Sequence, residues 1–239
     1  MDRPTKPLLM DLLRRARDAE EEFARGLGDE ERAASGTRDS WSATYTLAHI
    51  TAAKARLTRA LGAARAGDMP SLAHDEEEVY REHHGRPWAD VEDEARRVSA
   101  AFLEEVGRLS EAELADTGSQ PWLEGRSVAA QIVGYGVWHP YSHLGGYYRQ
   151  RRQGDRLTRL EQQLIEAVEE VERLPALHQD PVTLYNMACI YATSGRKDNA
   201  LSLLEEALRL DPTLRDSARS DSDLESLRGN ALFRELTAV

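Results

Sequence analysis

Three histidines have the spacing that chemistry requires. His139 and His143 stand four residues apart in a stretch patterned as a helix. Both imidazoles therefore leave one helical face, close enough to share an ion. His49 lies in an earlier helical stretch, near Tyr45 and Ala52. A bundle that sets these two helices side by side brings all three imidazoles together. Three neutral imidazoles suit a divalent transition metal, zinc or nickel, with water keeping the remaining positions open. Such an ion polarises a substrate oxygen, lowers the pKa of bound water or activates a thiol. Tyr45 and Tyr135 each precede a candidate ligand by one turn, which places them to line the pocket or to pack in the core. The three histidines themselves have a plainer reading as packed, hydrogen-bonded core residues. The pattern identifies no general base and no catalytic residue.

The remaining reactive residues divide in the same way. His74, His83 and His84 occupy the acidic stretch LAHDEEEVYREHHGRPW. With Glu76, Glu77, Glu78 or Glu82 they offer a second metal site; the simpler reading is a solvated crossover at the bundle mouth, placed to gate access. His178 falls in a linker and is expected to face solvent. Cys189 is the single cysteine, which excludes an intramolecular disulfide and a Cys-rich zinc site. With no histidine near it in sequence, it reads as a buried structural thiol. Arg149, Arg151 and Arg152 complement a helix C-terminus. Gly134, Gly136, Gly145 and Gly146 read as helix-packing glycines, and neither a phosphate loop nor a dinucleotide fingerprint is present.

The elements that must position these residues are helical. Apolar residues recur at three and four throughout, and the chain is rich in Ala, Leu, Glu and Arg, all good helix formers. Its 239 residues suit one or two domains. The 41% hydrophobic fraction is enough for a core. A formal charge of −11 opposes binding to nucleic acid or to an anionic membrane. No apolar run approaches the ~20 residues of a bilayer span, and MDRPTKPLL lacks the apolar core of a secretory signal. The expectation is a soluble cytoplasmic protein.

The first helix is expected from Pro7 to Leu27, with Thr5 as its N-cap. The second starts at Ser40 or Ser42 and ends near Ala66. Leu47, Ile50, Leu57 and Leu61 line one of its faces; Trp41, Tyr45, Ala48, His49 and Ala52 line the other. The third runs from Trp88 to Leu109, and a turn-rich connection with Gly118, Pro121 and Gly125 follows. The fourth runs from an N-cap at Ser127 to Gln153. Pro140 lies inside it and crowds the carbonyl of Gly136, so a kink is expected there. Four helices with one long crossover predict a four-helix bundle over residues 1–154.

Residues 155–239 read differently. A helix from Arg156 to Arg173 leads to Pro175, and a helical hairpin spans Pro181–Leu210. Leu184, Met187, Ala188, Tyr191, Gly195, Ala200, Leu204, Ala207 and Pro212 fall at the offsets of a 34-residue repeat. The segment resembles a tetratricopeptide repeat. One repeat cannot bury its own face, so the preceding helix and the tail are expected to pack on it. Its role is capture of a protein partner, or packing alone.

Two motifs in the first part add a resemblance. WSATYTLAHI, residues 41–50, and HPYSHLGG, residues 139–146, resemble the second-helix and fourth-helix motifs of the DinB-like (YfiT-like) bundles. VYREHHGRPW and LSEAEL resemble the branch that includes the colibactin self-resistance cyclopropane hydrolase. The likeness covers about residues 5–153. It implies that His49, His139 and His143 hold a divalent metal, that the activity is a hydrolase or a thiol-dependent transferase acting on a small molecule, and that the chain forms a homodimer. Pro140 inside the histidine pair departs from the family pattern, and the cyclopropane-hydrolase branch is not uniformly metal-dependent. Two alternatives therefore stand beside the metalloenzyme. One is a non-metal self-protection protein that binds or hydrolyses a reactive small molecule. The other is an interaction module with a non-catalytic bundle.

Overall fold

The computed structural model describes residues 4–117, 121–123, 125–174 and 177–238, without the side chains of Glu76 and Pro121. The turn at Gly118 and the helix stop at Pro175 lie outside the described residues. Among those described, every element is helical, and no helix is long and apolar enough to cross a membrane. The described residues divide into two compact units, Pro4–Leu160 and the stretch from Glu161 onward.

The larger unit is built on α1 (Thr5–Gly26), α3 (Ala43–Ala66), α5 (Trp88–Arg108) and a broken helix made of α7 (Val128–Val133) and α8 (His139–Gln150). Short helices α2 (Asp29–Ala33), α4 (Glu76–His83) and α6 (Glu111–Ala115) occupy the connections. Both α1 and α3 pack against α5 and α8, which closes the four-sided bundle. Leu9, Leu12 and Phe23 of α1, Leu47, Ile50 and Leu57 of α3, and Val91, Phe102 and Val106 of α5 form its interior. Burial of this kind stabilises by roughly 1.5–3 kcal/mol per large apolar side chain. The acidic crossover folds α4 onto α3, so α3 is covered on more than its core face.

Two caps match the sequence. Ser42 accepts from the Tyr45 amide and Ser127 from the Ala130 amide. The cap of α1 does not. Thr5 is already helical, and the carboxylate of Glu111 takes the amides of Thr5 and Lys6, both at 3.0 Å. The connection after α5 starts with a helix rather than a turn. Ser110 and Glu113 make a reciprocal capping box that starts α6.

The kink expected at Pro140 takes the form of a π-helical turn over Gly134–Trp138. The His139 amide reaches back five residues to the Gly134 carbonyl. Proline supplies no N–H and its ring presses on the turn before it, and the wider turn accommodates both. Gly136 has a second role there. A Cβ on it would collide with the Leu13 side chain and lie 2.7 Å from Phe102 Cε1, and both neighbours are buried. Gly136→Ala is therefore expected to destabilise by about 1–3 kcal/mol through overpacking, read as a lower denaturant midpoint at unchanged slope.

The smaller unit begins within α9 (Gly154–Val171) and continues through α10 (Pro181–Thr193), α11 (Lys197–Leu210), α12 (Leu214–Ser220), a 3-10 turn at Ser222–Leu227 and α13 (Ala231–Leu236). Asp180 caps α10 by accepting from the Thr183 amide, and Gly195 takes φ 80° at the hairpin turn. That left-handed backbone favours glycine. Ala188, Ala200 and Ala207 are fully buried, which lets α10 and α11 approach closely. The tail packs on this hairpin rather than repeating it. The 3-10 turn meets α10, and α13 meets α11, burying Leu224, Leu227 and Phe233.

Candidate metal centre

His49 sits in the second turn of α3, while His139 and His143 occupy the first two turns of α8. The contact of α3 with α8 brings them together. His139 Nε2 lies 3.1 Å from His49 Nε2 and 3.1 Å from His143 Nε2. One ligand atom from each residue falls within 4.8 Å of the others. An imidazole nitrogen offers either one proton or one lone pair in the ring plane. His139 Nε2 therefore cannot make two good hydrogen bonds at once. Three lone pairs pointed at one cation remove the conflict. With metal–nitrogen bonds of about 2.0–2.1 Å, neighbouring ligand nitrogens lie roughly 2.8–3.0 Å apart in octahedral sites and roughly 3.3–3.4 Å apart in tetrahedral ones. The two 3.1 Å spacings to His139 fall between those values, and the whole set lies within 4.8 Å, so the donor set fits a divalent ion.

The protonation state fits as well. His139 is pushed down to about 2, first by burial and then by His143, His49, Arg56 and Lys54. It is held neutral, the form that ligates. The linkage has a definite sign. The unfolded imidazole titrates near ~6.5, so below that value the unfolded chain binds a proton that folded His139 refuses. Stability is thus lost as pH falls from ~6.5 toward the depressed folded value. Chelator-treated protein should melt progressively lower between pH 7 and pH 5, with a shallower dependence in His139→Gln.

Aromatic rings surround the centre. Tyr45 is buried and stands 6.0 Å from the His49 ring, between Trp41 at 4.7 Å and Tyr80 at 5.0 Å. Tyr135 is half-buried and lies nearly parallel to His139 at 6.4 Å. The sequence spacing puts Trp41 on a face of the second helix, but α3 begins at Ala43. Trp41 belongs to the preceding loop and stacks on His143 at 5.0 Å with planes 15° apart. Its position two residues before the first helical residue was the available signal.

The second histidine cluster does not assemble as a ligand set among the described residues. His83 Nδ1 is 3.2 Å from the Arg86 guanidinium, which can only donate. Burial, then Arg86, hold His83 below its ordinary value. His84 stacks on Tyr80 at 4.8 Å, and His74 Nδ1 lies 3.2 Å from the Leu72 carbonyl. His178 is exposed.

Cys189 does join a group of potential ligands in the smaller unit, with Asp221 and Asp223. Its Sγ lies 3.7 Å from Asp221 Oδ2, which also accepts from Tyr185 Oη at 2.9 Å. Burial, reinforced by Asp221, pushes the thiol up and keeps it protonated. A protonated thiol donating to a carboxylate that is already engaged is a structural tie between α10 and the tail.

The family model of the DinB superfamily matches residues 12–145. The chain belongs to the DinB superfamily. The matched span contains all three histidines and the π-turn before His139. It also contains the stretch from Val79 to Trp88, but it distinguishes no branch within the superfamily. The tetratricopeptide repeat model matches residues 181–214, which are α10, α11 and the turn after them. No curated protein and no solved structure matches the chain.

Proposed function

We propose that the bundle of this DinB-superfamily chain is a metal-dependent enzyme, a hydrolase or a thiol-dependent transferase acting on a small molecule. The observation that carries this reading is the convergence of three imidazoles, with His139 held neutral, on one point between α3 and α8. His49, His139 and His143 would hold the ion, zinc or nickel by donor type. When bound, such an ion supplies Lewis acidity and lowers the pKa of a bound water or thiol. The chain's own contribution is a pre-assembled ligand set with one buried and two half-buried imidazoles. His49 is 5% exposed, and Tyr45, Tyr135 and Trp41 wall the imidazoles. Beside His143 a cavity of about 310 Å³ opens between Trp41, Ser142 and Gly146, which gives a small substrate room next to the centre.

The deciding experiment is elemental analysis of tag-free protein. Near-stoichiometric zinc or nickel supports the reading. Protein that stays metal-free after incubation with either ion sinks it. Turnover that survives chelation favours the non-metal self-protection reading instead.

The smaller unit supports a second role. A tetratricopeptide repeat is a protein-interaction module, and we propose that α10 and α11 capture a partner. Pull-down with the full chain, and its loss on deleting residues 181–214, would test this.

A further inference from the structure

The imidazoles of the centre need something to set their planes. The torsion that turns a histidine ring is broad and only weakly preferred. In most metal sites a hydrogen bond at the other ring nitrogen fixes it. Here the Nδ1 of His139 is buried and has no hydrogen-bond partner among the described residues. Ring contacts take that place. His139 lies nearly parallel to both Tyr135 and His49.

Trp41 is the ring that serves His143. It stacks on that imidazole at 5.0 Å and 15°, and it stands 4.9 Å from His49. A single loop side chain thus touches one imidazole from each ligand-bearing helix. Trp41 is itself pinned. Its indole Nε1 donates to the Arg38 carbonyl at 2.9 Å, and its backbone carbonyl accepts from the Arg151 guanidinium at 3.2 Å. Gln150 donates to the Asp39 carbonyl at 2.8 Å, so the end of α8 holds the loop twice. The loop closes on itself at Thr37 and Ser40. A Cβ at Gly36 would collide with the Ser42 amide nitrogen and approach the Ser40 carbonyl oxygen at 2.9 Å. Those are backbone atoms, so only glycine permits the fold-back that delivers Trp41.

We propose that Trp41 is a positioning residue of the three-histidine centre. Its indole sets the ring plane of His143 so that Nε2 points at the convergence site before any ion arrives. The inference rests on the metal reading for its consequence, but the ring orientation exists in the metal-free chain and is measurable there.

The test uses full-length protein with labelled histidines. In metal-free wild type, a stacked indole shifts the ring protons of His143 upfield. Trp41→Ala should abolish that shift and Trp41→Phe should keep part of it. Titration with Co²⁺ should then show affinity about 10–100-fold weaker in Trp41→Ala, the usual cost of losing an outer partner of a ligand, and within a few-fold of wild type in Trp41→Phe. Gly36→Ala, which changes neither a ligand nor the indole, should behave like Trp41→Ala. A folded Trp41→Ala with wild-type Co²⁺ affinity would overturn the proposal, as would an unshifted His143 resonance in wild type. Wild type that binds no Co²⁺ would sink the metal reading; the positioning role then stands if ring-to-backbone NOEs show the His143 ring turning in Trp41→Ala, and falls if they are unchanged.

Discussion

Alanine at His139 should empty the centre. Metal content is expected to fall from about one equivalent per chain to near zero, with His83→Ala as an unaffected control. His139 is chosen because its Nε2 makes both of the 3.1 Å contacts. Removing it leaves His49 and His143 without the nitrogen between them. Two imidazoles on different helices cannot make up the lost bond. A ligand present at a hundred times its dissociation constant stabilises the folded state by about 2.7 kcal/mol. For a bundle of this size that is roughly 5–10 °C in melting temperature. Wild type should show that rise on adding zinc, and His139→Ala should show none. Without metal the two proteins should melt close together, because unliganded His139 already sits in a conflicted arrangement. A zinc-dependent rise that persists in the variant would place the ion elsewhere.

Much of this centre was legible because its geometry is local. The pair at 139 and 143 needs only helical periodicity to share a face, and Ser42 and Ser127 cap their helices through residues three apart. The tetratricopeptide hairpin was legible for a related reason, since its small residues recur at offsets fixed by two packed helices. What escaped depends on distant partners. No local pattern says that Glu111 caps a helix beginning at Thr5. Trp41 looked helical because it continues the spacing of Tyr45 and His49; the loop that turns it onto His143 closes through the backbone at Gly36. Pro140 announced a break, but the close approach of Leu13 and Phe102 to the Gly136 backbone inside the widened turn comes from other helices and left no local signal.

The buried pair Glu20–Lys54 escaped for the same reason, and it carries the largest expected stability effect. Lys54 lies in the sequence AAKARL, where a lysine reads as surface. In the structure its ammonium meets the Glu20 carboxylate, linking α3 to α1, with side chains 3% and 5% exposed. Burial pushes the Glu20 carboxyl up, against the opposing pull of Lys54. Lys54→Met removes that pull and leaves a buried carboxyl without its ion-pair partner, which should cost about 3–5 kcal/mol. The pH dependence follows in sign. A carboxyl raised in the folded state binds a proton that the unfolded chain releases, so the deficit should shrink as pH falls and grow as it rises. Replacing both partners tests whether the pair is a net gain. Glu20→Leu with Lys54→Met removes both desolvation penalties and should recover most of the loss, to within about 1–2 kcal/mol of wild type. A double variant as unstable as the single one would mean that the attraction outweighs desolvation here. The pair also bears on the centre, since Lys54 is among the charges that hold His139 neutral. In Lys54→Met, protons should compete with metal for His139 at a slightly higher pH than in wild type, a shift readable from Co²⁺ titrations at stepped pH.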